Sequence, residues 1–147
     1  MYVNIKISTR VEQDYKTVFS KFDLYLFKKL KPVLTGLKVL KFDGCKKDDL
    51  VHVEINTFGW KQEWKSLITE NNENENEIYF IDEGLQLPKP LKKWRHEHKI
   101  AKFIDNCIII DNIAYSTNSF ILDLLLYPVL YMAFFQRKST YKRHFKK

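Results

Sequence analysis

The sequence predicts an α+β fold in which a curved antiparallel sheet of six to seven strands wraps around one long C-terminal helix. Three observations predict it. The N-terminal segment YVNIKIS alternates polar and apolar residues, which is the period-2 pattern of a half-buried strand. Six further segments have strand-like patterning and are separated by short polar stretches. The run from Phe120 to Phe135 is almost entirely apolar and is the one element long enough to cover such a sheet.

Two short helices are predicted directly after the first strand. Between Glu12 and Pro32 the apolar residues recur at three- and four-residue intervals, as they do on one face of a helix. The segment Phe22–Asp23–Leu24 interrupts this pattern, which favours two helices, and Pro32 ends the second.

The other strands follow with short connections. The polar tract NNENENE, residues 71–77, is interpreted as a turn because strand patterning resumes directly after it. Pro88 and Pro90 exclude a central strand between them. The last two strands are predicted to join across a two-residue turn at Asp105–Asn106. The predicted strands cover residues 37–44, 49–58, 60–70, 78–83, 93–103 and 107–116.

The apolar C-terminal run is interpreted as a buried helix capped by the preceding STNS. Its 16 residues include Asp123 and Pro128, whereas a membrane span needs about 20 predominantly apolar residues. A helix that covers one sheet face needs only one apolar stripe, yet this one is apolar on nearly every side. The surplus indicates a second contact: a homodimer interface, a transient membrane contact or the ligand itself.

Composition narrows the class of protein. A chain of 147 residues can bury one core without disulfides or metal, so a single domain over residues 1–147 is expected. Cys45 and Cys107 have no C-x-x-C pairing, and the N-terminus lacks signal-peptide features, which favours the cytoplasm. The net charge is +7, but acidic residues are interleaved and no reader motif accompanies the basic ones. Nucleic acid is therefore not the predicted partner.

The segment WRHEHKI carries the most informative pattern. Side chains two apart on a strand share a face, so Trp94, His96, His98 and Ile100 are predicted to point inward and the charged residues between them outward. A turn at Asp105–Asn106 would place His96 opposite Tyr115, His98 opposite Ile113 and Ile100 opposite Asp111. The expected wall combines an indole, two imidazoles and a phenol, as small-molecule pockets do.

These segments also resemble a known family. In YFIDEGLQLPKPLKKWRHEHKI and IIIDNIAYS, a Phe-x-Asp strand leads through a proline loop into W-x-H-x-H and then D-x-I-x-Y. This order resembles the START-like helix-grip superfamily, also called SRPBCC, which includes polyketide cyclases and plant ligand carriers. The matching residues are Phe80, Asp82, Trp94, His96, His98, Asp111, Ile113 and Tyr115. The resemblance implies a ligand cavity between sheet and helix, although carriers, receptors and enzymes share the fold.

The sequence departs from the small bacterial members at two places. Ile100 stands where an aromatic residue is usual, and Asn106–Cys107 replaces the usual Gly-Thr. The first departure is expected to reshape the pocket, and the second leaves the hairpin register open.

The predicted function is binding of a hydrophobic or amphipathic small molecule, such as a lipid, isoprenoid or polyketide-like compound. Gln62 is included because an inward polar side chain needs a partner, and Tyr127 and Tyr131 because they share a helix face. The predicted ligand-binding residues are Gln62, Trp64, Phe80, Trp94, His96, His98, Asp111, Tyr115, Tyr127 and Tyr131.

Three alternatives concern the same histidines. They could serve an enzyme of cyclase, dehydrase or hydrolase type, with His98 or His96 as general base. They could also only satisfy neighbouring polar groups. A metal site needs three or four ligands, and the only nearby candidates, Asp82 and Asp111, lack a recognised spacing, so no metal or cofactor is predicted.

Overall fold

The computed structural model describes residues 2–147 and has the predicted element order of one strand, two short helices, six strands and a C-terminal helical segment. The elements are β1 (Val3–Val11), α1 (Tyr15–Ser20), α2 (Leu24–Lys29), β2 (Gly36–Phe42), β3 (Leu50–Thr57), β4 (Trp60–Glu73), β5 (Glu77–Gln86), β6 (Lys93–Phe103), β7 (Asn106–Ser116), α3 (Phe120–Phe135) and α4 (Arg137–His144).

The seven strands form one antiparallel sheet in the order β1-β7-β6-β5-β4-β3-β2. Neighbours in the chain are neighbours in the sheet, except that β1 pairs with β7. Bulges bend a strand and increase its twist, so they account for the curvature of the sheet toward its helices. The register shifts lie between Val39 and Lys41, between Lys65 and Ser66, and between Ile68 and Glu70.

The two N-terminal helices begin at aspartate caps. The carboxylate of Asp14 accepts hydrogen bonds from the backbone N–H groups of Lys16 and Thr17, and that of Asp23 accepts one from Leu26. The predicted division at Phe22–Asp23–Leu24 is confirmed. The first strand is longer than the pattern indicated, because it continues through Val11.

The predicted turn between the last two strands was wrong by one residue. The strands end and restart at Phe103 and Asn106, so the turn residues are Ile104 and Asp105 rather than Asp105 and Asn106. The pairing therefore differs from the prediction by two positions, with His98 opposite Asp111 and Ile100 opposite Ile109. A shift of two keeps every side chain on its predicted face. The tract 71–77 also differs, since β4 continues to Glu73 and only 74–76 form the turn.

The C-terminal segment contains two helices separated at Gln136, and the Ser119 side chain caps the first as predicted. Together they form a helical stretch, Phe120–His144, of 25 residues. It contains an 18-residue window with mean hydropathy 1.3, so it is long and apolar enough to cross a membrane by length and composition alone. The prediction of a buried helix is correct for one face only: Asp123 is buried within α3, and Leu130 and Phe134 pack against the sheet. Most other α3 side chains, including Ile121 and Leu125, are exposed. Length and composition therefore do not by themselves assign a span.

Two apolar clusters form the core. The α1 cluster joins the N-terminal helices and α4 to one end of the sheet, and its members are Val11, Tyr15, Val18, Leu26, Leu30, Ile78, Ile100, Cys107, Ile109, Tyr141 and Phe145. The α3 cluster lies beneath α3, and its members are Ile5, Ile7, Leu91, Trp94, Ile113, Tyr115, Leu130 and Phe134. Along β6, Ile100 belongs to the α1 cluster and Trp94 to the α3 cluster, with His96 and His98 between them. Asp111 on β7 likewise lies between Ile109 and Ile113. A line of buried polar groups therefore separates the two halves of the core.

Candidate functional site

A cavity of about 680 Å³ lies between the sheet and α3, and α2 with its following loop closes one side. This volume is within the range of roughly 300–1,000 Å³ that is common for small-molecule sites. Most of the lining is apolar. Its inward polar groups on the sheet gather where β4, β5 and β6 lie side by side, and they include Ser66, Asp82, His96 and His98.

Three of these groups and one residue behind them form a compact cluster, the polar corner: Asp82, His96, His98 and Asp111. The strand pairing creates it, because β5 places Asp82 opposite His96 and β7 places Asp111 opposite His98. Both histidines and Asp111 are buried. Asp82, His96 and His98 line the cavity, whereas Asp111 lies on the far side of the imidazoles.

Each imidazole of the polar corner lies between the two carboxylates. His96 Nε2 is 2.9 Å from Asp111 Oδ1, and its Nδ1 is 3.4 Å from Asp82 Oδ2. His98 Nδ1 is 3.2 Å from Asp111 Oδ1, and its Nε2 is 3.8 Å from Asp82 Oδ2. The His98 Nδ1 contact does not have the angle of a hydrogen bond, so this buried nitrogen has no partner among the described residues. The two rings themselves are 3.6 Å apart between centroids.

Burial and mutual contact set the charges of the polar corner. Burial alone would raise the pKa of Asp111, but the hydrogen bond from His96 and the nearby cations lower it to about 2. For Asp82, burial is likewise outweighed by His96, and the pKa is lowered. Burial would lower the pKa of His96, yet the two carboxylates raise it, whereas burial and the charge of His96 lower the pKa of His98 to about 3. The pKa values of the two histidines are therefore shifted in opposite directions, although the rings are in contact.

Two further residues support the polar corner. The indole N–H of Trp94 donates to Asp82 Oδ1 at 3.0 Å. Arg137, the first residue of α4, lies 3.8 Å from Asp111 Oδ1 through Nη1 and stacks over Phe134 at 4.2 Å. Sequence reasoning missed Arg137. The available signal was its position as the first cation after the apolar run.

Aromatic side chains complete the polar wall. Phe80 stacks on His98 with ring centroids 4.5 Å apart, and Trp64 meets Trp94 edge to face at 4.7 Å. The predicted residues Trp64, Phe80, Trp94, His96 and His98 are therefore brought together at the cavity.

The other predicted residues lie elsewhere. Gln62 accepts a hydrogen bond from the backbone N–H of Lys89 at 2.8 Å and so fixes the proline loop. Tyr115 is fully buried and donates to the Asp123 carbonyl at 2.7 Å. Tyr127 and Tyr131 stack on each other at 6.1 Å along α3 and do not line the cavity. Their roles in ligand binding remain predictions.

Part of the cavity lining that α3 and the loop after α2 provide is apolar and exposed. We call Val33, Val129 and Met132 the apolar rim, because they line the cavity and are 67%, 62% and 50% exposed. The exposed apolar surface continues along α3 through Phe120, Ile121 and Leu125. Large contiguous apolar surface is uncommon on soluble monomers and marks contact with a partner or ligand.

The polar corner could also hold a metal ion. Asp82, His96 and His98 each offer one ligand atom, and these atoms lie within 4.8 Å of one another. Two imidazoles and a carboxylate suit zinc and other first-row transition ions.

Comparison with solved structures identifies the class of fold. No protein-family model matches the chain, and no curated protein matches it in sequence. Protein CV1439 from Chromobacterium violaceum superposes with a TM-score of 0.67 at 16% identity, over 95% of this chain and 96% of that one. The di-domain ARO/CYC StfQ from the steffimycin biosynthetic pathway gives 0.66 at 12%, over 98% of this chain and 52% of that one.

A plant protein has the same fold. Major latex-like protein 151 from Panax ginseng gives a TM-score of 0.60 at 12% identity, over 96% of this chain and 98% of that one. The chain therefore has the helix-grip fold that its resemblance to START-like proteins implied. At such identities the likeness concerns the fold, and the function must be argued from the cavity.

Proposed function

We propose that this protein binds a hydrophobic or amphipathic small molecule in the cavity between the sheet and α3. The observation that carries the proposal is a cavity of about 680 Å³ with mostly apolar walls and a cluster of polar groups on its sheet side. The fold similarity supports it, since a plant latex-like protein and a di-domain ARO/CYC of a biosynthetic pathway are built the same way.

The two ends of the cavity would have different roles in binding. Burial of apolar ligand surface contributes about 25 cal/mol per Å², which supplies affinity without fixing orientation. His96, His98 and Asp82 offer hydrogen-bonding atoms grouped at one place in a mostly apolar lining. A ligand with one oxygen-bearing end and an apolar body, such as a lipid, isoprenoid or polyketide-like compound, would therefore bind in one direction.

Native mass spectrometry of the purified protein tests this proposal. We expect a stoichiometric adduct that denaturing extraction releases and identifies. The variant Ala133→Phe, at a residue of α3 that lines the cavity, should abolish the adduct by filling the space. Ala114→Phe, on the opposite face of β7, is the matched control and should retain it.

If the purified protein carries no adduct, it is titrated with fatty acids, isoprenoid alcohols and polyphenols. Saturable binding of one of these compounds to the wild type, lost in Ala133→Phe, would support the proposal. Equal binding by Ala133→Phe and Ala114→Phe would contradict it.

An enzyme of cyclase, dehydrase or hydrolase type is the alternative, favoured by the contacts between histidines and carboxylates at the cavity wall. With His98 or His96 as general base, His98→Ala would abolish turnover and leave ligand binding largely intact. The pKa of His98, lowered by burial to about 3, disfavours that residue as a base at neutral pH.

The exposed face of α3 would serve a second copy of the chain. Its apolar side chains, including Ile121 and Leu125, are exposed in the isolated chain, and a homodimer would bury them. Transient membrane contact is the competing use of this face. The cytoplasmic location remains a prediction.

A further inference from the structure

We propose that Asp82, His96 and His98 bind one divalent first-row transition-metal ion, with open coordination positions that face the cavity. Metal binding requires no organic ligand, so this proposal and the proposed function can fail separately.

The distances suit a metal. His96 Nδ1 and His98 Nε2 lie 3.4 and 3.8 Å from Asp82 Oδ2. Ligand atoms bonded to zinc at 2.0–2.2 Å in tetrahedral geometry are ~3.4 Å apart, so only small side-chain rotations are needed. The ligands come from β5 and β6, which are paired along their length, and rigid strands hold ligand atoms in place.

The position of Asp111 selects the metal-facing nitrogens. A metal-bound histidine almost always donates its other ring N–H to a carboxylate or carbonyl, which orients the ring. Asp111 lies beside His96 Nε2 and His98 Nδ1, at 2.9 and 3.2 Å. With protons on these two nitrogens, the lone pairs of His96 Nδ1 and His98 Nε2 face Asp82. One buried carboxylate thereby serves both histidines, and Arg137 lies next to it.

This arrangement directs three lone-pair donors at one point. Two imidazole nitrogens and a carboxylate oxygen repel one another unless a proton or a metal cation lies between them. In the part of the chain that the structure describes, His98 Nδ1 has no hydrogen-bond partner, so protein contacts there leave the cluster incompletely satisfied. A divalent ion would offset the charges of Asp82 and Asp111 and would draw the His98 ring into line with Asp111.

The site would be open on the cavity side. Three protein ligands leave at least one position of a tetrahedral ion free, and all three residues line the cavity. Such an ion would coordinate an oxygen of a bound molecule. This favours ligands that end in a carboxylate, hydroxamate, catechol or enolisable ketone over plain hydrocarbons or amines.

The experiment uses untagged, full-length protein treated with chelator and then dialysed. Co²⁺ alone is added, and visible absorption and titration calorimetry are recorded. We expect one equivalent to bind, with the spectrum of four- or five-coordinate Co²⁺. Zn²⁺ should displace it at equal stoichiometry, and elemental analysis of protein purified without chelator should find a transition metal.

Substitution of the proposed metal-binding residues identifies the site. His98→Gln and Asp82→Asn should each weaken Co²⁺ binding by at least ~100-fold, since even outer-shell changes cost 10–100-fold, and Asp111→Asn should fall within that outer-shell range. The control is His52→Gln, because His52 is a histidine on β3 that lies 3.7 Å from Glu63, away from the cavity lining. It should bind as wild type does. Circular dichroism verifies that each variant is folded.

Two results would overturn the proposal. Folded wild-type protein that binds no stoichiometric Co²⁺ or Zn²⁺ would show that a shared proton, and not a metal, holds the cluster together. Binding that survives both His98→Gln and Asp82→Asn, or that His52→Gln removes, would place the ion elsewhere. The first result needs no variant, so loss of folding in a variant does not protect the proposal.

Discussion

The polar corner and the apolar rim belong to the same cavity, yet their exposure and contacts are opposite. His96 and Asp111 are 3% and 1% exposed and are held by strand pairing on both sides. Val33 and Val129, on the apolar rim, are 67% and 62% exposed and lie on a loop and a helix. Charge is placed where the sheet excludes water, and apolar surface is left where water has access.

Charged groups are usually exposed and apolar groups usually buried, and this cavity has the opposite arrangement at the polar corner and the apolar rim. Burying an ionised group lowers the stability of the fold unless the group is paired. The buried charges of the polar corner are therefore tolerated because they contact one another. Exposed apolar groups contribute little to folding, so the rim can be optimised for whatever enters or covers it. The difference predicts that substitutions at the corner change stability and those at the rim change association.

The largest expected effect comes from breaking the pairing of the corner. Asp111→Asn removes the carboxylate that contacts His96, His98 and Arg137 and leaves the charge of Arg137 uncompensated. The free energy of unfolding should fall by about 3–5 kcal/mol, as for other buried pairs that lose one partner. Urea denaturation measures it. The matched control is Asp105→Asn in the exposed β6–β7 turn, expected within about 0.5 kcal/mol.

An intermediate effect distinguishes the two faces of α3. Leu130 is 8% exposed and packs in the α3 cluster, whereas Leu125 on the same helix is 66% exposed. Leu130→Ala should lower the free energy of unfolding by about 2–5 kcal/mol through lost burial and a cavity. Leu125→Ala should change it by less than about 0.5 kcal/mol in the monomer. Equal losses in thermal or urea unfolding would show that α3 is packed on both faces.

The smallest effect on stability is expected for a substitution that tests whether the exposed face of α3 forms a homodimer. We expect size-exclusion light scattering to show a homodimer that Leu125→Glu converts to a monomer with unchanged circular dichroism. The introduced charge would be desolvated in the apolar interface and is tolerated only when exposed. A strict monomer in the wild type would remove the dimer and leave membrane contact, measured by vesicle flotation, as the use of this face.

Side-chain alternation allowed the sheet and its inward face to be predicted from sequence. The hairpin turn was misplaced, but the pairing moved by two positions, so His96, His98 and Asp111 kept their face. The partner of each histidine could not be obtained this way. A period-2 pattern determines faces and not pairing, and the turn residue Ile104 adopts a positive φ that a β-branched residue rarely has.

The helix side of the cavity was less predictable for a related reason. A helix that is apolar on all sides does not indicate which side meets the sheet. The sequence therefore could not show whether the face shared by Tyr127 and Tyr131 points to the cavity. Gln62 was correctly placed on a strand, but its partner is the backbone of Lys89, a residue distant in sequence. Arg137 contacts Asp111 of the polar corner from the first position of α4, and the residue pattern does not distinguish it from the other cations of that helix.

The tryptophans give this molecule a built-in optical reporter. Of its three, Trp64 and Trp94 contact each other at the cavity, and Trp94 also donates to Asp82, while Trp60 is 62% exposed at the start of β4. Indole emission depends on the polarity and mobility of its surroundings. With Trp60 replaced by phenylalanine, the remaining fluorescence would come from the cavity wall alone. Any molecule or ion that enters could then be followed without a label.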